Sequence, residues 1–360
     1  MTGTTAFPAD TCIGILGSGQ LGRMLAIAAA QLGVQTHVFA PDAGTSPAGQ
    51  VATLTTTADY DDVAALRRFA ASVDAVTSEF ENVPAATMDV IGATCLASPG
   101  AAALRAAQHR IAEKSLAAEF GIPTPRFWQV RNHDDLTAAM KTLNGPAILK
   151  TCQLGYDGKG QRRLAPGDDL AAALAALDSD DAILEEMIAF DSEISALLAR
   201  DQGGAICHFP VTLNRHSNGI LATSIGPAPI PDRLAEAAQT AAATLAEAVD
   251  LTGLLAVEFF VDTTGQLLFN EMAPRPHNSF HWTIEGCATS QFTQLARVLA
   301  GMGFGATTSY GRWQMENLLG QDMGRVPSLL AQDGAHLHLY GKPTARTDRK
   351  MGHVTSRLVD

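Results

Sequence analysis

Two carboxylates in a predicted β-hairpin are the best candidates for metal chemistry in this sequence. Glu258 lies in the run AVEFFVD and Glu271 in QLLFNEM, and the residues TTG between the runs predict a tight turn. We therefore expect Glu258 and Glu271 on neighbouring strands, with Asn270 beside Glu271. Carboxylate and amide oxygens suit Mg²⁺, which is a hard cation. Salt bridges are the alternative, because a charge in an apolar strand needs a partner.

A glycine-rich loop predicts binding of phosphate groups. The segment Gly155–Gln161 reads GYDGKGQ and stands between two predicted strands. Glycines allow backbone N–H groups to approach an anion, and Lys159 adds a positive charge. Lys150 ends the preceding apolar strand, AILK, and leads toward the same loop. A hairpin turn without a ligand is the alternative for the loop, and an ordinary edge lysine is the alternative for Lys150.

Three further carboxylates follow an apolar strand. Glu185 and Glu186 stand in ILEEMI, and Glu193 follows in DSEIS. Carboxylates at such a strand end could accept hydrogen bonds from an adenine amino group or from ribose hydroxyls. A solvated, charged strand end is the alternative.

The segment APRPHNSFHWT places several polar side chains directly after Glu271. His277 and His281 are four residues apart, a spacing that binds zinc when both residues lie on one helix. Prolines at positions 274 and 276 break a helix at this point. The segment therefore indicates a polar substrate pocket, to which Arg275 and Asn278 also belong.

A glycine fingerprint stands near the start of the chain. Gly17, Gly19 and Gly22 spell G-x-G-x-x-G after a predicted strand, and Asp42 follows at the distance of a ribose-binding acid. An NAD-dependent oxidoreductase is therefore one candidate class. That class leaves the glutamate hairpin and the lysine loop unexplained.

Composition and charge limit the remaining classes. The 360-residue chain has a net charge of −12 and no long apolar run, which argues against general nucleic-acid or membrane binding. Its five cysteines are odd in number and lack C-x-x-C spacing, as expected for a reducing cytoplasm without disulfides or structural zinc. A basic segment near the C-terminus predicts a site for a substrate phosphate, with a solvated surface as the alternative. Its cations are Lys342, Arg346, Arg349 and Lys350.

The elements that position these residues follow from the hydrophobic pattern. Alternating strand and helix patterns over residues 12–98 predict an open parallel α/β sheet that ends at Pro99–Gly100. Residues 102–121 predict one continuous helix that ends at Gly121. Several antiparallel strands are expected over 181–214, and a long Ala-rich helix over 232–253.

Taken in this order, the motifs resemble the ATP-grasp superfamily, and within it the family that carboxylates aminoimidazole ribonucleotide in purine biosynthesis. The resemblance extends from about residue 12 to about residue 353 and rests on GSGQLGRML, SEFENV, GYDGKGQ, VEFF, NEMAPRPHNSFHWT and RKMGH. It implies an ATP-grasp fold of α/β and α+β class in three parts. These are an N-terminal Rossmann-like pre-ATP-grasp domain (1–103), a split central ATP-binding domain (104–300, with a lid subdomain at about 124–187) and a small C-terminal domain (301–360) that contributes to the substrate site.

The resemblance also implies roles for individual residues. ATP phosphates contact Arg110, Lys150 and the lid residues Gly155, Tyr156, Asp157, Gly158, Lys159, Gly160 and Gln161. The nucleotide base and ribose contact Glu185, Glu186, Met187, Ile188, Glu193 and His216. Mg²⁺ binds Glu258 and Glu271, with Asn270 beside them. The ribonucleotide and bicarbonate contact Gln20, Tyr156, Asp157, Arg275, His277 and Asn278, and the 5′-phosphate contacts Lys342, Arg349 and Lys350. The implied catalytic residues are Arg275, Lys159, Tyr156 and Asp157, and Asp42 is only a turn residue.

The implied reaction begins with attack of bicarbonate on the γ-phosphate of ATP. Carboxyphosphate, or CO₂ released from it, then carboxylates the exocyclic amine of aminoimidazole ribonucleotide. ATP and Mg²⁺ are the expected cofactors, and the expected state is a cytoplasmic homodimer without nucleic-acid or membrane partners. The alternatives are a formate-dependent glycinamide ribonucleotide transformylase, a biotin carboxylase, and a nucleotide sensor without catalysis.

Three positions depart from the pattern of this family. TCQL, at 151–154, stands where basic residues often separate the strand lysine from the lid, which removes positive charge near the phosphates. His109 replaces an aspartate that often precedes the arginine. Phe280 stands where glycine is common, and its ring is expected to reshape the pocket wall.

Overall fold

The N-terminal part of the chain forms a parallel sheet with helices packed against it. A computed structural model describes residues 10–155, 160–177 and 179–358. The sheet has the order β3-β2-β1-β4-β5, which confirms the predicted open α/β unit. Its elements are β1 (Cys12–Leu16), α1 (Gln20–Gln31), β2 (Gln35–Ala40), β3 (Leu54–Thr57), α2 (Val63–Ala70), β4 (Ala75–Ser78), α3 (Ala85–Gly92) and β5 (Leu96–Ser98).

The predicted continuous helix over 102–121 is wrong, because two helices occupy this range. They are α4 (Ala101–Ala107) and α5 (Arg110–Glu119), and His109 between them is extended, with φ −132° and ψ 112°. The Gln108 side chain donates to the backbone carbonyls of Glu81 and Val83, at 2.6 Å each. These contacts with a distant loop hold the break and let α5 start in a new direction.

A small antiparallel sheet follows, in the order β6-β9-β7-β8. Strands β7 and β9 pair so that Lys150 lies opposite Ile183. Ile183 precedes Glu185 by two residues on β9. The elements are β6 (Phe127–Val130), α6 (His133–Leu143), β7 (Ala147–Thr151), β8 (Gln161–Leu164), α7 (Leu170–Ala175) and β9 (Ala182–Glu186).

The remaining strands form a larger antiparallel sheet, in the order β15-β14-β10-β12-β13-β16-β18-β17, with β11 paired to β10. The strands of the predicted C-terminal domain therefore extend the central sheet, while the predicted domain boundaries themselves stay a prediction. The elements are β10 (Phe190–Arg200), β11 (Ile206–His208), β12 (Thr212–Ser217), β13 (Ile220–Gly226), α8 (Asp232–Ala248), β14 (Gly253–Asp262), β15 (Leu267–Ala273), α9 (Thr283–Gly286), α10 (Gln291–Leu299), β16 (Trp313–Leu319), α11 (Val326–Leu330), β17 (Ala335–Leu339) and β18 (Lys350–Arg357).

One apolar core joins the N-terminal sheet to the large sheet. It includes Ile13 and Leu25 from the first unit and Phe280, Trp282 and Phe292 from the second. Phe280 is fully buried and packs near Phe209, with ring centroids 6.5 Å apart. The expectation that its ring reshapes the pocket wall is therefore wrong, because the ring belongs to this core.

No helix among the described residues is long and apolar enough to cross a membrane.

Candidate active site

A cleft of about 860 Å³ lies where the three sheets meet. It brings together most of the side chains that the sequence selected, although they are distant along the chain. Those that line it are Gln20, Arg110, Lys150, Gly155, Gln161, Glu193, His216, Glu258, Asn270, Glu271, Arg275, His277, Asn278 and Lys350. Gly160, Glu185, Glu186, Met187, Ile188, Lys342 and Arg349 lie outside its lining. Tyr156, Asp157, Gly158 and Lys159 lie outside the described residues.

Glu258 and Glu271 face each other across the β14–β15 hairpin, where they are paired in register. Burial, and after it the charge of Glu271, raise the pKa of Glu258 to about 8. Glu271 accepts from Arg110 at 3.2 Å, and His277 Nε2 lies 3.4 Å from Glu258. Two buried carboxylates that repel each other form a donor set that a divalent cation would neutralise, so these residues fit Mg²⁺.

A buried charge cluster stands beside this pair and includes residues that the sequence did not select. Lys114 is fully buried and donates to the backbone carbonyl of Asn270 at 2.9 Å. Glu185 lies 2.8 Å from Lys150 and 3.6 Å from Lys114. Burial opposes ionisation of Glu185, but the two lysines prevail and lower its pKa to about 2. Glu113, also buried, accepts from the backbone N–H of Met272 at 3.1 Å.

The predicted adenine edge is structured by ion pairs. The Glu186 carboxylate accepts from the Arg126 guanidinium at 2.9 and 3.0 Å, and the Glu185 carboxylate faces the lysines. The Met187 side chain is exposed. Any contact of this edge with a base must therefore come from the backbone and apolar side chains near Met187 and Ile188. Glu193 lies 2.5 Å from His216 Nδ1, which joins the two predicted ribose-side residues.

The base of the glycine-rich loop closes as a hairpin. The backbone N–H of Thr151 donates to the carbonyl of Gly160 at 2.9 Å. Gly160 has φ +69°, and a Cβ there would lie 2.9 Å from the Thr151 hydroxyl. This position therefore requires glycine for its conformation and its space.

The glycine turn after β1 holds an internal carboxylate. Glu79, at the end of β4, accepts hydrogen bonds from the backbone N–H groups of Gly19 and Gly22. A Cβ on Gly17 would lie 2.3 Å from Glu79 Cγ, so the turn must be glycine for the carboxylate to enter. The sequence contained the signal in SEFENV, because parallel β1 and β4 are adjacent and end at one edge.

The segment after β15 lines the opposite wall of the cleft. Arg275 donates to Glu81 through Nε, and its side chain is 18% exposed. Burial lowers the pKa of His277 to about 3, and nearby Arg275 adds to this effect. The buried amide atoms of Asn278 have no hydrogen-bond partner among the described residues, although Asn278 lines the cleft. Arg275, His277 and Asn278 thus offer one cation and several neutral polar groups to a ligand.

The basic segment is only partly directed into the cleft. Lys350, the first residue of β18, lines it. Lys342 donates to the backbone carbonyl of Lys350 at 2.7 Å, and Arg349 donates to that of Thr344 at 2.9 Å. Lys342 and Arg349 therefore support the chain around Lys350 in this arrangement.

Comparison with known proteins covers the whole chain. Three family models match: the ribonucleotide synthetase preATP-grasp domain at residues 11–108, the ATP-grasp domain at 115–292, and the phosphoribosylaminoimidazole carboxylase C-terminal domain at 314–358. The N5-carboxyaminoimidazole ribonucleotide synthase of Brucella melitensis is 48% identical over 99% of this chain and 98% of its own length. The chain belongs to the N5-carboxyaminoimidazole ribonucleotide synthase family.

Solved structures agree with this membership. The N5-carboxyaminoimidazole ribonucleotide synthetase of Thermus thermophilus is 41% identical and superposes with a TM-score of 0.89, covering 96% of this chain and 93% of its own. An N5-carboxyaminoimidazole synthase from Aspergillus clavatus, in complex with ADP and 5-aminoimidazole ribonucleotide, is 28% identical with a TM-score of 0.90, covering 97% and 94%. The predicted ATP-grasp fold and ligase class are confirmed.

Proposed function

We propose that this synthase-family protein uses ATP and bicarbonate to carboxylate 5-aminoimidazole ribonucleotide, giving N5-carboxyaminoimidazole ribonucleotide, ADP and phosphate. The observation that carries the proposal is the cleft, because it places the Glu258–Glu271 pair between two sets of groups. Arg110, with Lys150, forms the set that contacts Glu271, and His277, with Arg275, Asn278 and Lys350, forms the set beside Glu258. The set with Arg110 and Lys150 suits a nucleoside triphosphate. The set with Arg275 and His277 suits a smaller anion and a phosphorylated ribose.

On the ATP side, cations and loop amides are proposed to hold the phosphates. Arg110 and Lys150 supply fixed charge, and Gly155, Gly160 and Gln161 with Lys159 form the covering loop. Met187 and Ile188 border the base, and Glu193 with His216 contacts the ribose. In the described residues Lys150 is paired with Glu185, so this lysine is held in place before ATP arrives.

Glu258 and Glu271 are the proposed ligands of Mg²⁺, with Asn270 beside them. The bound cation supplies positive charge that offsets the charge of the ATP phosphates. Arg110, through its contact with Glu271, joins this carboxylate pair to the phosphate-binding side of the cleft.

On the carboxylation side, Arg275 is proposed to stabilise the negative charge of carboxyphosphate. A bicarbonate oxygen bonds to the γ-phosphorus of ATP, and the bond from that phosphorus to the ADP oxygen breaks. The exocyclic amine then bonds to the carboxyl carbon, phosphate leaves, and the amine loses a proton. Glu81 orients Arg275 by accepting from Nε, and neutral His277 and Asn278 supply hydrogen bonds. Tyr156 and Asp157 are proposed to exclude water at the edge of the loop.

We also propose a cytoplasmic homodimer. Cys12, Cys95, Cys152, Cys207 and Cys287 are all free thiols, which suits a reducing compartment. The resemblance to the family supports the dimer. Sedimentation velocity at several protein concentrations tests it, since a species at the monomer mass throughout contradicts it.

The deciding measurement is ADP formation from MgATP in bicarbonate buffer, with and without 5-aminoimidazole ribonucleotide. We expect the ribonucleotide to increase the rate at least about tenfold, because it consumes the unstable intermediate. Glycinamide ribonucleotide with formate is the matched control and should give no increase. Stimulation by that pair alone would replace the proposed substrate, and absence of ATP turnover under every condition would contradict the proposal.

A further inference from the structure

An imidazole, a thiol and a carboxylate meet at the base of the glycine-rich loop. They belong to His109, which precedes α5, Cys152, which follows β7, and Asp181, which precedes β9. One ligand atom from each lies within 4.8 Å of the other two, and His109 Nε2 is 2.8 Å from Asp181 Oδ2. The reaction proposed above uses none of these three side chains.

The surrounding contacts fix the carboxylate in an orientation suited to a ligand. Gln129 Nε2 donates to Asp181 Oδ1 at 3.0 Å, which leaves Oδ2 directed at the imidazole. The backbone carbonyl of Asp181 accepts from Cys152 N and from the Ser179 hydroxyl, at 3.0 Å each. Outer hydrogen bonds of this kind orient the ligands in metal sites. These contacts hold the Asp181 carboxylate in place beside His109 and Cys152.

We propose that His109, Cys152 and Asp181 bind a divalent transition-metal ion of the zinc class, separately from the Glu258–Glu271 pair. Thiolate and imidazole are preferred by zinc and cobalt, whereas Mg²⁺ takes oxygen ligands. Ligand atoms around tetrahedral zinc lie about 3.5 Å apart. The observed spacing, up to 4.8 Å, reaches that value through small side-chain rotations.

Accessibility also suits a metal with one open coordination position. The Cys152 side chain is 1% exposed, whereas 43% of the Asp181 side chain is exposed. An ion can enter from the Asp181 side, and water can supply the fourth ligand.

Two of the three proposed ligands stand where the sequence departs from the pattern that its family resemblance implies. His109 and Cys152 stand at two of the positions where the sequence departs from the family pattern, in which an aspartate and basic residues are common. The structure shows that the two departures are neighbours around Asp181.

The site is also connected to the catalytic cleft. The backbone N–H of Arg110 donates to the carbonyl of Cys152 at 3.0 Å, and the Arg110 side chain contacts Glu271. A bound ion would thus link the start of α5 to the base of the loop. The metal site does not depend on which substrate the cleft takes.

Co²⁺ titration of the reduced full-length protein in saturating Mg²⁺ tests the proposal. We expect one equivalent to bind, with the thiolate-to-cobalt absorption band and the visible bands of tetrahedral cobalt, and Zn²⁺ to abolish both. Cys152→Ser should remove the thiolate band, and H109N should weaken binding at least about tenfold. Cys207→Ser, which changes a half-buried thiol elsewhere, should leave the spectrum unchanged.

Two results would overturn the proposal. One is a wild-type protein that shows no thiolate–cobalt band, because His109, Cys152 and Asp181 would then form only a hydrogen-bond network. The other is a band that persists in Cys152→Ser or disappears in Cys207→Ser. H109N keeps a polar side chain at the half-buried position 109, so its binding affinity decides the question if Cys152→Ser fails to fold.

Discussion

Glu79 places Oε2 2.7 Å from the backbone nitrogen of Gly22, so an internal carboxyl group fills the glycine turn after β1. In dinucleotide-binding proteins a pyrophosphate accepts hydrogen bonds from the equivalent N–H groups at the start of the helix. Here the turn keeps its affinity for an anion, but the protein supplies the carboxylate. This explains why an ATP-grasp ligase can contain the glycine motif of dinucleotide-binding proteins.

Replacing Glu79 should destabilise the protein, because the N–H groups of Gly19 and Gly22 lose their acceptors. We expect Glu79→Ala to lower the free energy of unfolding by about 3 kcal/mol, and Glu79→Gln by about half of that. Urea denaturation measures both. Asp42→Asn is the control, since the exposed Asp42 side chain accepts from the Ser18 hydroxyl and the loss of its charge should cost under about 0.5 kcal/mol. Equal losses for Glu79→Ala and Asp42→Asn would contradict this account.

Glu258→Gln should reduce activity without reducing the stability of the metal-free protein. Burial and, next, the charge of Glu271 oppose ionisation of Glu258 and raise its pKa to about 8, so a neutral amide suits the metal-free site. We expect kcat for ADP formation to fall by about 10²–10³, while the melting temperature in EDTA stays equal or rises. Exposed Glu247→Gln should change neither quantity. Wild-type turnover of Glu258→Gln would contradict the proposed role of the pair in metal binding. A lower melting temperature in EDTA would indicate that the pair has a structural role.

The parts of the site that were predicted depend on local patterns. The Glu258–Glu271 hairpin follows from strand alternation and a TTG turn, and the two glutamates lie on neighbouring strands as expected. The break between α4 and α5 could not be predicted, because Gln108 makes its contacts with a loop more than twenty residues away. Lys114 was missed for a similar reason. The sequence predicts an exposed lysine on α5, but the packing of α5 against β15 buries Lys114 beside Glu185.

The Glu185 carboxylate should stabilise the fold above about pH 4.5 and lose that effect in acid. Its folded pKa of about 2 lies below the unfolded value, so the folded state takes up the proton later as the pH falls. Compared with Glu185→Gln, the wild type should lose about 3 kcal/mol between pH 5 and the folded pKa. Urea denaturation from pH 5 downward measures this difference. Exposed Glu236→Gln is the control, and a constant difference between wild type and Glu185→Gln would exclude the effect.

Two buried histidines should make stability depend on pH in a higher range. The Tyr340 hydroxyl lies 2.9 Å from His353 Nδ1, and Gln291 Nε2 donates to His281 Nδ1 at 3.0 Å, so both imidazoles are enclosed by protein partners. Burial places both pKa values well below 6.5, and His338 near both rings and Lys350 and Arg275 near His281 act in the same direction. The unfolded chain therefore takes up protons below about pH 6.5 that the folded chain does not.

Each of these histidines should then cost about 1.4 kcal/mol of stability per pH unit below about pH 6.5. His353→Gln keeps an acceptor for Tyr340 and removes one such proton. The difference in unfolding free energy between wild type and variant should be constant above pH 7 and should shift in favour of the variant by that slope from pH 6 to 5. Exposed His133→Gln should show no shift. A difference that stays constant across the whole range would mean that His353 takes up its proton in the folded state as readily as in the unfolded chain, against the lowered pKa that burial gives it.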